Sequence, residues 1–159
     1  MITTSAGAAT NSVKVPSILI AEDDDNDVFF LERAFKQAQV SNPRFRVRDG
    51  EEAIAYLQGD GEFSEREKFP LPHLLLLDLK MPRKNGFEVI AWVRSRPGFR
   101  RLIIVVLSSS KEDPDINRAY DMGVNSYLVK PARFEALMEM VRALNQHWLV
   151  LAERPSLEE

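Results

Sequence analysis

The stretch LLLLDLKMPRKNG, Leu74–Gly86, decides the fold of this 159-residue chain. Its four consecutive leucines are typical of a short strand that is buried on both faces of a parallel sheet. The run ends directly in a carboxylate, Asp78. The stretch therefore predicts a strand fixed in the core, with an acidic side chain held at its tip.

Similar apolar runs alternate with helical patterns along the rest of the chain. Four further segments predict strands: SILIA (17–21), PRFRVRD (43–49), LIIVVLS (102–108) and NSYLVKP (125–131). Apolar residues at helical spacing predict helices near 27–39, 50–58, 87–95, 113–123 and 132–152. Strict alternation of this kind indicates an α/β fold: a doubly wound, five-stranded parallel sheet with helices on both faces. Such sheets bind ligands beyond the carboxyl ends of their strands.

One globular domain accounts for the chain. Residues 1–15 are small and polar and predict a disordered tail, 16–152 form the domain, and 153–159 are a second tail. The segment Gly59–Pro72 is rich in glycine, proline and charge, and predicts an exposed loop. The N-terminus lacks the basic and apolar regions of a secretory signal.

Composition narrows the function classes. Hydrophobic residues make up 45% of the chain and charged residues 28%, with a net charge of −3. These values are ordinary for a soluble domain and give no sign of nucleic-acid binding. No apolar run is long enough to cross a membrane. The chain has no cysteine, which excludes disulfides and thiolate metal sites and is compatible with the cytoplasm.

Chemically capable side chains follow the predicted strands. Glu22 and Asp23 follow the first, Asp78 the third and Lys130 the fifth, while Ser108 ends the fourth. In the predicted sheet they gather at one rim. Three carboxylates in a small space would raise at least one pKa unless a cation neutralises them. Oxygen ligands alone suit Mg²⁺, especially when a phosphate completes the coordination shell.

The same residues could support phosphoryl transfer. A carboxylate such as Asp78 can act as a nucleophile and form an aspartyl-phosphate. Transfer of a phosphoryl group depends mainly on positioning and on neutralising charge. Mg²⁺ and Lys130 would supply positive charge, and Ser108 a hydrogen-bond donor. Together these residues indicate a protein that receives phosphoryl groups.

At this point the sequence closely resembles the receiver domain of two-component response regulators. The resemblance rests on ILIAEDD, LLLLDLKMPRKNG, VVLSSS and YLVKP, which occur in the family's order along almost the whole globular part. It implies a flavodoxin-like receiver with strand order 2-1-3-4-5. It also implies a signalling protein, not an enzyme, which takes a phosphoryl group from a sensor histidine kinase and promotes only its own phosphotransfer and dephosphorylation.

The resemblance assigns the acidic residues their roles. Asp78 matches the phosphoacceptor, and Glu22 with Asp23 matches the acidic pair that binds Mg²⁺. Asp78 itself and the main-chain carbonyl of Lys80 match the remaining protein ligands of the metal.

The resemblance also assigns roles to the residues around the phosphoacceptor. Ser108 and Lys130 match the groups that bind the phosphoryl oxygens. Ser108 with Tyr127 matches the switch, in which an aromatic ring turns inward when the hydroxyl moves. Pro131 matches a proline that the family joins to the lysine by a cis peptide bond.

A narrower resemblance is to the small cyanobacterial-type phytochrome response regulators. It rests on the loop Gly59–Pro72, on DLKMPRKNG, on AYDMG (119–123) and on HWLVLAERP (147–155). These relatives are receivers without an output domain, usually homodimeric, and paired with a light-sensing histidine kinase. The apolar residues Trp148, Leu149 and Leu151 extend the last helix; they could cap the core, but we favour a two-fold contact.

Other interpretations stay open at this stage. Asp78 alone could be a helix cap, and Ser108, Lys130 and Tyr127 could be ordinary residues at strand ends. An aspartyl phosphatase usually has a second acid two residues after its nucleophile, and Lys80 occupies that position. A phosphorylation-independent binding module on the same fold is the main alternative.

The other acidic residues of EDDDND have a simpler interpretation. Asp24, Asp25 and Asp27 are expected in a solvated turn or at the start of the following helix, with Asp25 or Asp27 as its N-cap.

Overall fold

The computed structural model describes residues 15–157. Its five strands are β1 (Ile18–Ala21), β2 (Arg44–Val47), β3 (Leu74–Leu77), β4 (Ile103–Ser108) and β5 (Ser126–Val129). Its five α-helices are α1 (Asp25–Gln37), α2 (Gly50–Gln58), α3 (Gly86–Ser95), α4 (Asp113–Asp121) and α5 (Phe134–Leu144). Two 3₁₀ turns cover Gly61–Ser64 and Pro97–Phe99, and a π-helical segment, Asn145–Leu151, continues α5.

The strands form one parallel sheet in the order β2-β1-β3-β4-β5, as predicted. The two central strands, β1 and β3, pair from Ile18 with Leu74 to Ala21 with Leu77. All eight of their residues are buried, which explains why they are continuous apolar runs without alternation.

Helices cover both faces of the sheet. Leu75 and Leu77 of β3 pack into an apolar cluster with residues of α2, α3 and α4. Leu74 and Leu76 point the other way, into a cluster with α1 and α5. Each buried leucine contributes about 1.5–3 kcal/mol relative to an exposed one. The predicted flavodoxin-like architecture is confirmed.

Helix α1 begins directly after the first acidic residues. Its N-cap is Asp24, whose carboxylate accepts hydrogen bonds from the N–H groups of Asn26 (2.8 Å) and Asp27 (3.1 Å). The expectation that Asp25 or Asp27 would be the cap is therefore wrong. A cap side chain must reach N–H groups two and three residues ahead, and the chain leaving β1 turns early enough for Asp24 to do so.

The loop Gly59–Pro72 is only partly exposed. Its aromatic residues Phe63 and Phe69 pack on Tyr56, with ring centroids 5.0 and 6.0 Å away. The Tyr56 hydroxyl donates a hydrogen bond to the main-chain oxygen of Pro70, at 2.9 Å. Arg66 donates to the main-chain oxygens of Tyr56 and Leu57 at the end of α2. The loop composition therefore indicated exposure correctly for its acidic residues and Lys68, but not for Arg66 or the aromatic residues.

One residue beyond the predicted domain boundary at residue 152 contacts the domain core. Leu157 is partly buried and packs against the cluster formed with α2, α3 and α4. Glu153, Arg154 and Ser156 are exposed, and the rest of the predicted C-terminal tail lies outside the described residues. The predicted N-terminal tail also lies outside them, except for Val15, which is exposed.

Across residues 15–157, no helix is both long and apolar enough to span a bilayer.

The hydrogen bond from Tyr56 to Pro70 gives a test of the loop packing. Tyr56→Phe leaves a half-buried carbonyl without its donor, so we expect the free energy of unfolding to fall by about 1 kcal/mol. Urea denaturation measures this change. Glu67→Gln, an exposed change in the same loop, serves as the control and should stay within about 0.5 kcal/mol of wild type. Equal stability of all three proteins would contradict the packed loop.

Candidate functional site

Two buried carboxylates lie side by side at the carboxyl ends of β1 and β3. Glu22 directly follows β1 and Asp78 directly follows β3, and the register that pairs Ala21 with Leu77 makes them neighbours. Glu22 is 5% exposed and Asp78 7%. Asp23 is exposed, and one carboxylate oxygen from each of the three residues lies within 4.8 Å of the others. The predicted acidic cluster is thus brought together by the sheet.

Burial makes this cluster costly to ionise. It raises the pKa of Glu22 to about 7, although hydrogen bonding to Lys130 acts in the opposite direction. Burial likewise raises the pKa of Asp78, against the lowering effects of Lys130 and of nearby main-chain N–H groups. A group that prefers its neutral form in the fold gains from any cation that stabilises the ionised form.

Lys130 is the cation that the chain itself supplies. Its Nζ lies 2.6 Å from Glu22 Oε1, 2.8 Å from Asp27 Oδ2 and 3.6 Å from Asp78 Oδ2. Burial lowers the pKa of Lys130, but its hydrogen bonds to Asp27 and Glu22 outweigh this effect and raise the pKa above its ordinary value. Lys130 therefore remains charged, and it partly compensates three carboxylates at once.

Asp27 is the residue of this site that the sequence interpretation missed. The sequence pattern places it in a solvated turn or at a helix start, yet its carboxylate holds Lys130. The available signal was its position: an acid in the first turn of α1 lies at the same rim as the acids that follow β1.

The donor set of the cluster fits a hard divalent cation. All three side chains offer carboxylate oxygens, and two of them are buried where an unpartnered charge is unfavourable. The predicted fourth ligand, the main-chain carbonyl of Lys80, stays a prediction.

Gly86 fixes the loop that carries Lys80, and sequence reasoning overlooked it. Its N–H donates to the main-chain oxygen of Leu79 at 2.9 Å. A Cβ at Gly86 would lie 2.4 Å from the main-chain oxygen of Asp78, which is too close for two non-bonded atoms. Only glycine therefore allows α3 to begin directly against the segment that follows β3.

Ser108 and Tyr127 lie on the neighbouring strands and are linked through Ser110. Ser108 is fully buried, and its Oγ accepts a hydrogen bond from the N–H of Ser110 at 3.2 Å. The half-buried Tyr127 donates from its hydroxyl to the main-chain oxygen of Ser110 at 3.0 Å. Ser110 Oγ in turn donates to Asp115 at 2.6 Å. The loop after β4 is thus hydrogen-bonded to β4 through Ser108, to β5 through Tyr127 and to α4 through Asp115.

The prediction of a cis peptide bond before Pro131 is wrong for this structure. No peptide bond among residues 15–157 is cis. The bond between Lys130 and Pro131 is trans, while the N–H of Lys130 donates to the main-chain oxygen of Ser108 at 2.8 Å. This β-type hydrogen bond positions Lys130 directly beyond β5.

The fold is that of a receiver domain. The family profile of the response regulator receiver domain matches residues 18–142, and the chain belongs to this family. Response regulators of this type are signalling proteins that receive phosphate from histidine kinases.

Individual relatives indicate which kind of response regulator this chain resembles. The response regulator Rcp1 of Synechocystis sp. is 34% identical over 139 residues, which cover 87% of this chain and 92% of Rcp1. The phosphorylated cyanobacterial phytochrome response regulator RcpA superposes with a TM-score of 0.82 at 38% identity, covering 89% of this chain and 99% of RcpA. RPA3017, a response regulator in red light signaling of R. palustris, superposes with a TM-score of 0.85, also at 38% identity and with the same coverage. The predicted resemblance to phytochrome response regulators is confirmed.

The raised pKa of Glu22 predicts how stability depends on pH without metal. The folded state holds a proton that the unfolded state releases near pH 4.5, so the stability of the metal-free protein falls as pH rises from about 4.5 to 7. Glu22→Gln removes this loss. We expect the variant to gain on the order of 1–3 kcal/mol over wild type between pH 5 and 7.5, measured by urea denaturation in a chelator. A constant difference across this range would contradict the assignment.

Proposed function

We propose that this chain is a response regulator that accepts a phosphoryl group on Asp78 from the phosphohistidine of a sensor histidine kinase. The observation that carries the proposal is the position of Asp78, buried at the tip of β3 with Glu22 beside it and Lys130 at 3.6 Å. Asp78 contributes the nucleophilic oxygen. The phosphorus–oxygen bond forms as the bond from phosphorus to the kinase's histidine nitrogen breaks, and that nitrogen leaves with the electron pair.

The surrounding residues hold the group in transfer. Glu22, Asp23 and Asp78, with the Lys80 carbonyl, would bind Mg²⁺, which neutralises charge on the phosphoryl oxygens when bound. A Mn²⁺-bound form of the relative Rcp1 supports a divalent-metal site of this kind. Lys130 supplies a second positive charge and Ser108 a hydrogen-bond donor. This chemistry acts only on the protein's own phosphate and does not turn over a separate substrate.

Phosphorylation would change the surface around α4 and β5. Ser108 moves toward the phosphoryl oxygens and gives up its contact with the N–H of Ser110. The loop after β4 then shifts, and Tyr127 loses its acceptor on Ser110 and turns inward. A local charge change is thereby converted into a different docking surface.

The partner kinase we propose is of the phytochrome type. The support is the description of RcpA as a phytochrome response regulator and of RPA3017 as acting in red light signaling. We place both proteins in the cytoplasm, and neither nucleic acid nor membrane is part of the proposal.

We also propose a homodimer formed through the end of the last helix. Leu149 is buried in the core, and Trp148 is only partly exposed, so these two residues stabilise the domain itself. Val150 and Leu151 remain 58% and 66% exposed. Adjacent exposed apolar side chains of this kind gain stability from cover by a second copy.

Phosphorylation can be tested with a small phosphodonor such as acetyl phosphate. Intact mass should rise by one phosphoryl group in the presence of Mg²⁺ and stay unchanged in a chelator. Asp78→Asn should abolish the gain and keep the fold, while Asp121→Asn, an exposed acid on α4, should leave it intact. Absence of labelling in the wild type would favour the phosphorylation-independent binding module, and labelling that survives in Asp78→Asn would refute the acceptor.

Sedimentation at micromolar concentration tests the dimer. Leu151→Glu places a charge on the exposed apolar end and should convert a dimer into a monomer. Phe29→Glu changes a similarly exposed apolar residue on α1 and should not alter the mass. A wild-type monomer, with and without phosphorylation, would disprove the dimer.

A further inference from the structure

Lys130 is shared by three carboxylates, and one of them stands outside the candidate metal site. Glu22 and Asp78 belong to the acidic cluster that fits a divalent cation. Asp27 does not belong to that cluster and lies instead in the first turn of α1. Yet the 2.8 Å contact from Lys130 to Asp27 is nearly as short as the 2.6 Å contact to Glu22.

This arrangement creates a conflict at Glu22. The same carboxylate is held by the ammonium group of Lys130 and is needed as a ligand of the cation. Two positive charges on one buried carboxylate repel each other strongly, since burial weakens screening by water. When a cation binds, Lys130 must therefore give up part of its contact with Glu22.

Asp27 offers the lysine a second position. Its side chain is 44% exposed, so water still solvates its charge, whereas the side chains of Glu22 and Asp78 are 7% and 8% exposed. Its backbone is fixed, because its N–H donates to the N-cap Asp24 at 3.1 Å. The carboxylate is thus held by a rigid element next to the cluster without being part of it.

We propose that Asp27 is a positioning residue: it holds the Lys130 ammonium group when a divalent cation takes Glu22. Without Asp27 the lysine has only the metal ligands Glu22 and Asp78 as partners, so it competes with the cation. With Asp27, Lys130 withdraws from Glu22 and stays close to Asp78, where the incoming phosphoryl group needs it. This consequence for phosphoryl transfer rests on the proposed function, whereas the effect on cation binding does not.

Asp25 provides a matched control for the loss of one negative charge. It lies in the same turn of α1 but contacts Arg46 at 2.8 Å and Arg48 at 3.0 Å, with no contact to Lys130. Asp25→Asn therefore removes the same charge from the same region and leaves the lysine untouched. Any general electrostatic attraction of the cation by the acidic loop should weaken equally in both variants.

Calorimetric titration of the metal-free chain with Mg²⁺ tests the proposal. Asp27→Asn should weaken Mg²⁺ binding on the order of tenfold, as expected for a residue that acts through a neighbour of the metal ligands. Asp25→Asn should change it less than about twofold, and Asp27→Glu should restore it by returning the carboxylate. Equal losses in Asp27→Asn and Asp25→Asn would overturn the proposal, because they would reveal a charge effect alone.

A double-mutant cycle shows whether Asp27 acts through the lysine. In a Lys130→Met background, Asp27→Asn should weaken Mg²⁺ binding no more than Asp25→Asn does. An undiminished tenfold loss in that background would overturn the proposal. The phosphodonor assay on wild type is a separate test. Failure of phosphorylation in that assay would contradict the proposed function, while the Mg²⁺ titrations would still decide the role of Asp27.

Discussion

The candidate site depends on the burial of two carboxylates, Glu22 and Asp78, at the ends of the central strands β1 and β3. Burial penalises their charge, and the adjacent Lys130 offsets only part of that penalty. Such a site favours the binding of positive charge next to Asp78. The apolar core makes this possible, because strands that are covered on both faces hold their ends rigidly.

Several contacts around the site keep that position fixed. The short approach of Gly86 to the main-chain oxygen of Asp78 sets the start of α3 and the path of the loop that carries Lys80. On the other side, the N–H of Lys130 is tied to the end of β4, which places its side chain over the carboxylates. The links from Ser108 and Tyr127 to Ser110 connect this rigid centre to the more exposed α4 side.

Sequence patterns predicted the fold and the members of the acidic cluster for clear physical reasons. Buried parallel strands need continuous apolar runs, and the helices between them need apolar residues at helical spacing. Both kinds of element can therefore be recognised from the sequence. Parallel strands also end at a common edge, so the positions of strand ends along the chain were enough to group Glu22, Asp23, Asp78, Ser108 and Lys130. Patterns failed at local choices, such as the N-cap of α1 and the packed aromatic residues of the loop after α2.

The sequence by itself determined the strand–helix alternation and the gathering of Glu22, Asp23, Asp78 and Lys130 at one rim, because those follow from periodicity and chain direction. Only the tertiary structure decided how they pair. The ammonium of Lys130 contacts Glu22 and Asp27 more closely than Asp78, and the peptide bond before Pro131 is trans. These outcomes depend on distances between segments about a hundred residues apart, set by how β1, α1 and β5 pack together, and no pattern within one segment encodes them.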